Sequence, residues 1–368
     1  MRKFIWTLVI VAVVAVFGGR AWYLHKQAEQ NKDAIKIGVV VPLSGFDENM
    51  TDRIVTTLKT ATEELTKKKP YKIQYLFEDG KYTVKDSISA FNKLKASNPS
   101  AYIVLGDLPA FGLRPLINET KMPTIVLVSG DSGLPAQSPY LFRMSLSSKD
   151  MIQRLASFTY NTKHISDAAI MKIKNNYGDD GSQFFKKYFA DLGGKVIAEE
   201  TFNVMDMDVR AQVEKVLATN PNMILVWGFG PGYTTTFNQL SELGYKGEII
   251  TDFGVFDKAV WENIHNKGDG IYFTTIDSQA NKMNPQFLQN YTAKFGDKPD
   301  VVASFAYAAV EALLKTIENP KGIEAGLYEL QNFETAIGKI NYDKEGEPHA
   351  QIVIKQMQPD GTAKIVKE

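Results

Sequence analysis

Short runs of β-branched residues alternate with helical stretches along this chain, and the alternation starts afresh near residue 168. Residues 35–41 form an apolar run that stops at Pro42. Residues 52–68 then carry Ile54, Leu58, Ala61 and Leu65 at intervals of three or four, the spacing of one helix face. Strands follow at 72–77, 101–105 and 124–128, with helices at 84–96 and 112–120 between them. The second series has strands at 168–173, 195–200, 223–227, 248–251 and 271–274 and helices at 178–192, 208–219 and 233–243. Two further helices at 285–295 and 300–318 precede a β-like end over 336–342, 351–355 and 363–366. Strands that alternate with helices imply a parallel sheet covered on both faces. Two such series in 368 residues exceed one core and imply two α/β lobes, each doubly wound. Sheets of this kind bind ligands beyond the carboxyl ends of their strands. The loops 42–49, 106–112, 129–135, 175–179, 228–233 and 252–256 are therefore where a cleft between two facing edges is expected.

Charge and cysteine content narrow the function classes. Lys plus Arg and Asp plus Glu are 42 each, so nothing global draws the chain to nucleic acid or to an anionic membrane surface. With no cysteine, disulfides, thiolate metal sites, Cys nucleophiles and Cys-linked lipid anchors are excluded. The N-terminus speaks for export: Arg2 and Lys3 precede an uncharged, mostly apolar run over 4–19, and Arg20 follows. Small residues at Gly18, Gly19 and Ala21 suit a cleaved signal peptide, whereas Trp22 and Tyr23 suit a retained anchor, and both alternatives stay open. Either way residues 1–33 are a signal or anchor plus tether. Membrane contact is confined to 1–24 if that segment is kept, and the rest lies on the periplasmic or extracellular side.

Enzyme motifs fail on inspection. Gly130-Asp131-Ser132-Gly133 resembles a serine-protease nucleophile motif, but only His25 precedes it, in the tether, so a turn after a strand is the better reading. Gly228-Phe229-Gly230 opens a dinucleotide fingerprint whose last glycine is replaced by Tyr233. His25, His164, His265 and His349 show no metal-ligand spacing, and no phosphate loop exists. No cofactor or metal is expected, and an enzyme on a doubly wound fold is the weakest reading.

A series of motifs over residues 35–368 does carry a family likeness. Ile37-Gly38-Val39-Val40 with Pro42-Leu43-Ser44-Gly45, then Leu76-Phe77-Glu78-Asp79, Ile103-Val104-Leu105-Gly106 and Ile125-Val126-Leu127-Val128-Ser129 match four strands and their cleft loops. Tyr177-Gly178, Leu192-Gly193-Gly194, Met223-Ile224-Leu225-Val226-Trp227-Gly228, Leu243-Gly244-Tyr245 and Tyr342-Asp343 follow in the same order. In this the chain resembles the periplasmic leucine/isoleucine/valine-binding proteins, which serve ATP-driven (ABC) importers.

The resemblance implies two Rossmann-like lobes around a ligand cleft, joined by three crossovers near 145, 275 and 342. Lobe 1 would be 34–145 with 276–342, and lobe 2 would be 146–275 with 343–368. It implies a non-enzymatic protein that closes on a small molecule and delivers it to an ABC permease. A membrane-anchored sensory or receptor module is the alternative.

The family's binding positions transfer unevenly. The serine that takes a ligand carboxylate after the third strand falls on Ala110, which has no hydroxyl. Ser129 and Ser132 stand after the fourth strand, Tyr177 at the start of the second lobe, and Phe229 after a later strand. The glutamate that pairs with a ligand ammonium falls on Phe253, with Asp252 one residue away. An unpaired buried ammonium costs several kcal/mol. If Phe253 replaces the acid, then Phe46, Tyr177, Phe229 and Phe253 line an aromatic pocket that favours an aromatic, acyl or amide ligand over a plain α-amino acid. Asp131 is a spare partner for a cationic group, or only a turn residue.

Overall fold

The computed structural model describes residues 34–45, 47–131, 133–264, 270–277 and 282–366. The N-terminal segment, Phe46, Ser132 and His265 lie outside them. The first sheet holds β1 (Ile35–Val41), β2 (Ile73–Asp79), β3 (Ala101–Leu105), β4 (Thr124–Leu127) and β5 (Leu141–Met144). Its order is β2-β1-β3-β4-β5, and every pairing is parallel. β1, β3 and β4 read as continuous apolar runs because a parallel sheet covered on both faces buries alternate side chains equally. Helices α1 (Glu48–Thr66), α2 (Val84–Lys95) and α3 (Asp107–Thr120) complete the βα units.

After α4 (Ser148–Ser157) the second sheet begins with β6 (Asp167–Ile173), α5 (Asn176–Asp191), β7 (Lys195–Phe202) and α6 (Arg210–Leu217). It continues with β8 (Met223–Trp227), α7 (Pro231–Glu242), β9 (Glu248–Thr251), α8 (Lys258–Asn263) and β10 (Tyr272–Ile276). Helices α9 (Pro285–Phe295), α10 (Val301–Thr316) and α11 (Ile323–Tyr328) and a hairpin of β11 (Phe333–Thr335) and β12 (Gly338–Ile340) follow. The chain ends in β13 (Ile352–Met357) and β14 (Ala363–Ile365), which add antiparallel strands to the second sheet. Its order is β14-β13-β10-β9-β8-β6-β7. The helix α10 is buried almost all round and packs on α1 of the first lobe, as its alanine-rich sequence allows.

Several boundaries differ from the sequence expectation, each for a local reason. α1 starts at Glu48 rather than 52 because the Asp47 carboxylate accepts from Met50 N at 2.9 Å and caps it. α3 starts at Asp107 rather than 112, since Pro109 sits in the first turn, where a missing N–H costs nothing. The strand expected over 336–342 is the β11–β12 hairpin. β5 and α4 were not foreseen at all. β5 is four residues long, and Arg143 interrupts its apolar character.

That arginine is a joint of the architecture. Arg143 is fully buried. Its Nε donates to Glu347 Oε2 at 2.8 Å, and its terminal nitrogens donate to the carbonyl oxygens of Ser129 and Asp131 and to Ser129 Oγ. Arg143 N donates to Gly346 O at 2.9 Å, and Tyr342 Oη to Arg143 O at 2.7 Å. Gly346 has φ +82°, and a Cβ there would fall on the carbonyl oxygen of Leu141, so only glycine allows this approach. The late segment 342–347 is thereby locked to the end of the first sheet.

Candidate functional site

The carboxyl ends of the two sheets face each other across a cavity of about 650 Å³. That lies within the roughly 300–1,000 Å³ usual for small-molecule sites. Its walls come from the loops after β1, β3 and β4 on one side and after β6, β7, β8 and β9 on the other.

On the first-lobe side, Gly106 (φ +87°) turns the chain out of β3, and Asp107 opens α3. The Asp107 carboxylate folds onto the loop after β4. Oδ1 accepts from Ser129 Oγ and from Asp131 N at 3.2 Å, and Oδ2 accepts from Gly130 N at 3.2 Å. Burial raises its pKa, while the charge of Arg143 and these donors pull it down. The Ser145 hydroxyl bridges the same loop, accepting from Ser129 N at 3.0 Å and donating to Ser129 O at 2.6 Å.

On the second-lobe side, the Asn175 side chain accepts from Gly178 N at 2.9 Å and caps α5, which fixes Tyr177 in the first turn. The Tyr177 ring stacks on Trp227 at 5.1 Å and meets Phe229 at 6.1 Å. Its hydroxyl donates to Asp252 Oδ2 at 2.5 Å. Asp252 Oδ1 accepts from Gly254 N at 2.8 Å and from Tyr233 Oη at 3.4 Å. Burial pushes the Asp252 carboxyl up to about 6 even though these donors oppose the shift. Phe253, half-buried, meets Phe305 of α10 edge to face at 6.0 Å, bridging the two lobes.

At the mouth, Arg53 lies among acids. It forms a two-pronged pair with Asp297 at 2.9 Å, bonds Tyr291 Oη at 3.0 Å and approaches Asp300 at 3.5 Å. Its guanidinium also lies 4.9 Å from the centre of the Phe295 ring.

Of the residues expected at the site, Ser129, Tyr177, Phe229, Asp252 and Phe253 line one cavity. Ala110 does not. It is fully buried among Leu113, Ile117 and Val104. The early start of α3 carries position 110 to the helix's inner face, away from the cavity. Phe46 and Ser132 fall outside the described residues. Asp131 closes a turn by accepting from Gly133 N at 2.9 Å, and its side chain is no cavity partner. Sequence reasoning missed Asp107, although a lone acid directly after an apolar strand and glycine was a visible signal. It also missed Arg53 and Asp300, which reach the cavity from helix ends distant in sequence. Among the described residues, no group of three His, Asp or Glu side chains is placed to hold a metal ion.

Residues 34–362 match the family model described as periplasmic binding protein. A Leu/Ile/Val-binding protein homolog 1 from Brucella abortus is 24% identical over 363 residues, covering 95% of this chain and 94% of that protein. A leucine binding protein from Thermotoga maritima superposes with a TM-score of 0.81 at 22% identity, over 91% of this chain and 98% of that one. A solute binding protein of an ABC transporter from R. palustris, solved with benzoate, gives 0.80 at 18% identity, over 90% and 95% of the two chains. These likenesses agree on two α/β lobes with parallel sheets, and their members are binding proteins rather than enzymes.

Proposed function

Because the chain belongs to the periplasmic binding protein family, whose members work outside the cytoplasm, we propose that it is the solute-binding component of an ABC importer. It closes on a small molecule and presents it to a permease. The lobes divide as 34–145 with 276–342 and 146–275 with 343–368, and closure turns on the crossovers between them. The N-terminal segment exports the chain, whether cleaved or kept as an anchor.

The observation that carries this reading is the cavity of about 650 Å³ between two sheet edges, walled on the second-lobe side by Tyr177, Phe229 and Phe253 with the buried acid Asp252 beside them. Aromatic walls suit an aromatic, acyl or amide compound better than a plain α-amino acid. Among the structural relatives, one solved with benzoate and one named for leucine stand on either side of that preference.

A thermal-shift screen against branched-chain amino acids, aromatic carboxylates, amines and short amides tests the proposal. A ligand at 100 times its dissociation constant stabilises by about 2.7 kcal/mol. That moves the melting temperature by several degrees, and the ligand should be recovered unchanged. Turnover of the bound compound, or a melt indifferent to every class, would defeat it.

A further inference from the structure

The first-lobe wall contains a site for an anion that is already filled. The hydroxyl of Ser129 and the backbone N–H groups of Gly130 and Asp131 converge, with the N-terminus of α3 alongside. Such an arrangement ordinarily receives a ligand carboxylate. Here the carboxylate of Asp107 sits in it. Ser129 and Gly130 both line the cavity, so the donors a ligand acid would use are those the protein's own acid occupies.

The remaining charge points the same way. Among the described residues, the cavity lining holds Asp47, Asp107, Asp252, Asp257 and Asp300 against one base, Arg53. That base is engaged by Asp297, Asp300 and Tyr291, and its Nε is buried. A second carboxylate brought beside Asp107 meets like charge and finds no free cation, and both effects raise the cost of desolvating it.

We propose that Asp107 is a built-in substitute for a ligand carboxylate, so that the cleft selects a carboxylate-free amine with an apolar body, its ammonium on Asp252 and its body against Tyr177, Phe229 and Phe253. This rests on the solute-binding reading above and narrows it. Asp107 is then a specificity-determining residue, and the amine class follows from the acids that remain.

Three compounds sharing one body test it by calorimetric titration of the purified protein: 2-phenylethylamine, phenylalanine and 3-phenylpropanoate. The amine should bind at least tenfold tighter than either acid. In Asp107→Ser the vacated donors, and in the near-isosteric Asp107→Asn the loss of like charge, should improve phenylalanine binding at least tenfold relative to the amine. Circular dichroism melts identify any variant that fails to fold, and the wild-type ranking stands without them. If phenylalanine or the propanoate binds wild type as tightly as the amine, or if both folded variants leave the ranking unmoved, the inference falls while the solute-binding reading survives. If none of the three compounds binds, and the wider screen is flat as well, both fall.

Discussion

The two walls of the cleft solve opposite problems. The first-lobe wall is polar and self-satisfied: Asp107, Ser129, Ser145 and Arg143 bond one another and the local backbone. The second-lobe wall is aromatic, and its buried acid, Asp252, is held by donors but paired with no base among the described residues. The difference separates two tasks that are often merged in one site. One wall fixes the cleft's shape by a closed hydrogen-bond network, and the other leaves a charge uncompensated for something else to meet.

Mutations on the two walls should therefore have opposite signatures. The largest effect is expected at the first wall. Arg143→Met leaves Glu347 buried beside no cation, which costs about 3–5 kcal/mol when one partner of a buried pair is removed. Denaturant unfolding should show that loss, and any ligand affinity measured on the folded fraction should change far less. A large affinity loss at unchanged stability would break the division.

At the second wall the sign reverses. Asp252 has a folded pKa of about 6 against an ordinary 3.8, so the folded state resists ionising it. That penalty is absent below about pH 4, grows as pH rises through 4 to 6, and is complete above 6. Asp252→Asn should remove it, raising ligand-free stability at pH 7 by roughly 1–3 kcal/mol and weakening ligand binding. The stability difference between variant and wild type should close as pH falls from 6 to 4. A pH-independent difference would show that the charge is not its origin.

The smallest effect is expected at Tyr177→Phe, which keeps the stacking on Trp227 and removes one donor to Asp252. Asp252 keeps its bonds from Gly254 and Tyr233, so a net loss of about 0.5–1.5 kcal/mol, that of one ordinary hydrogen bond, is expected, and the variant's Asp252 should titrate higher still. Titration followed by NMR of the carboxyl carbon would sharpen how much of the acid's ionisation depends on that hydroxyl.

Much of the fold could be read from residues because it rests on periodicity. The strands of the first lobe that are apolar throughout, such as 101–105, stood out, whereas Tyr177 was named only through the family likeness. β5 did not, because its middle residue is a buried arginine whose partners, Glu347 and the 129–131 loop, are far off in sequence. The burial of Ala110 was not legible because the start of α3 depends on a glycine at φ +87° and on a proline in the first turn, and neither is visible as hydrophobic spacing. Arg53 and Asp300 were silent for a related reason. Each sits at a helix end whose position in the cleft is set only when α1, α9 and α10 pack together.

Gly130 has a mechanical meaning beyond its hydrogen bonds. A Cβ there would stand 2.6 Å from Cε2 of Tyr177 and 3.0 Å from Ser148 Oγ, so a ring of one lobe lies directly on the backbone of the other. This happens next to the point where the chain leaves the first sheet, since Ser148 N, at the start of α4, donates to Gly130 O at 2.8 Å. In the closure proposed above, contact beside the crossover acts on a short lever arm, so any thickness added there is multiplied at the distant lips. A single methyl at residue 130 would work as a wedge, prising the jaws apart by far more than its own width.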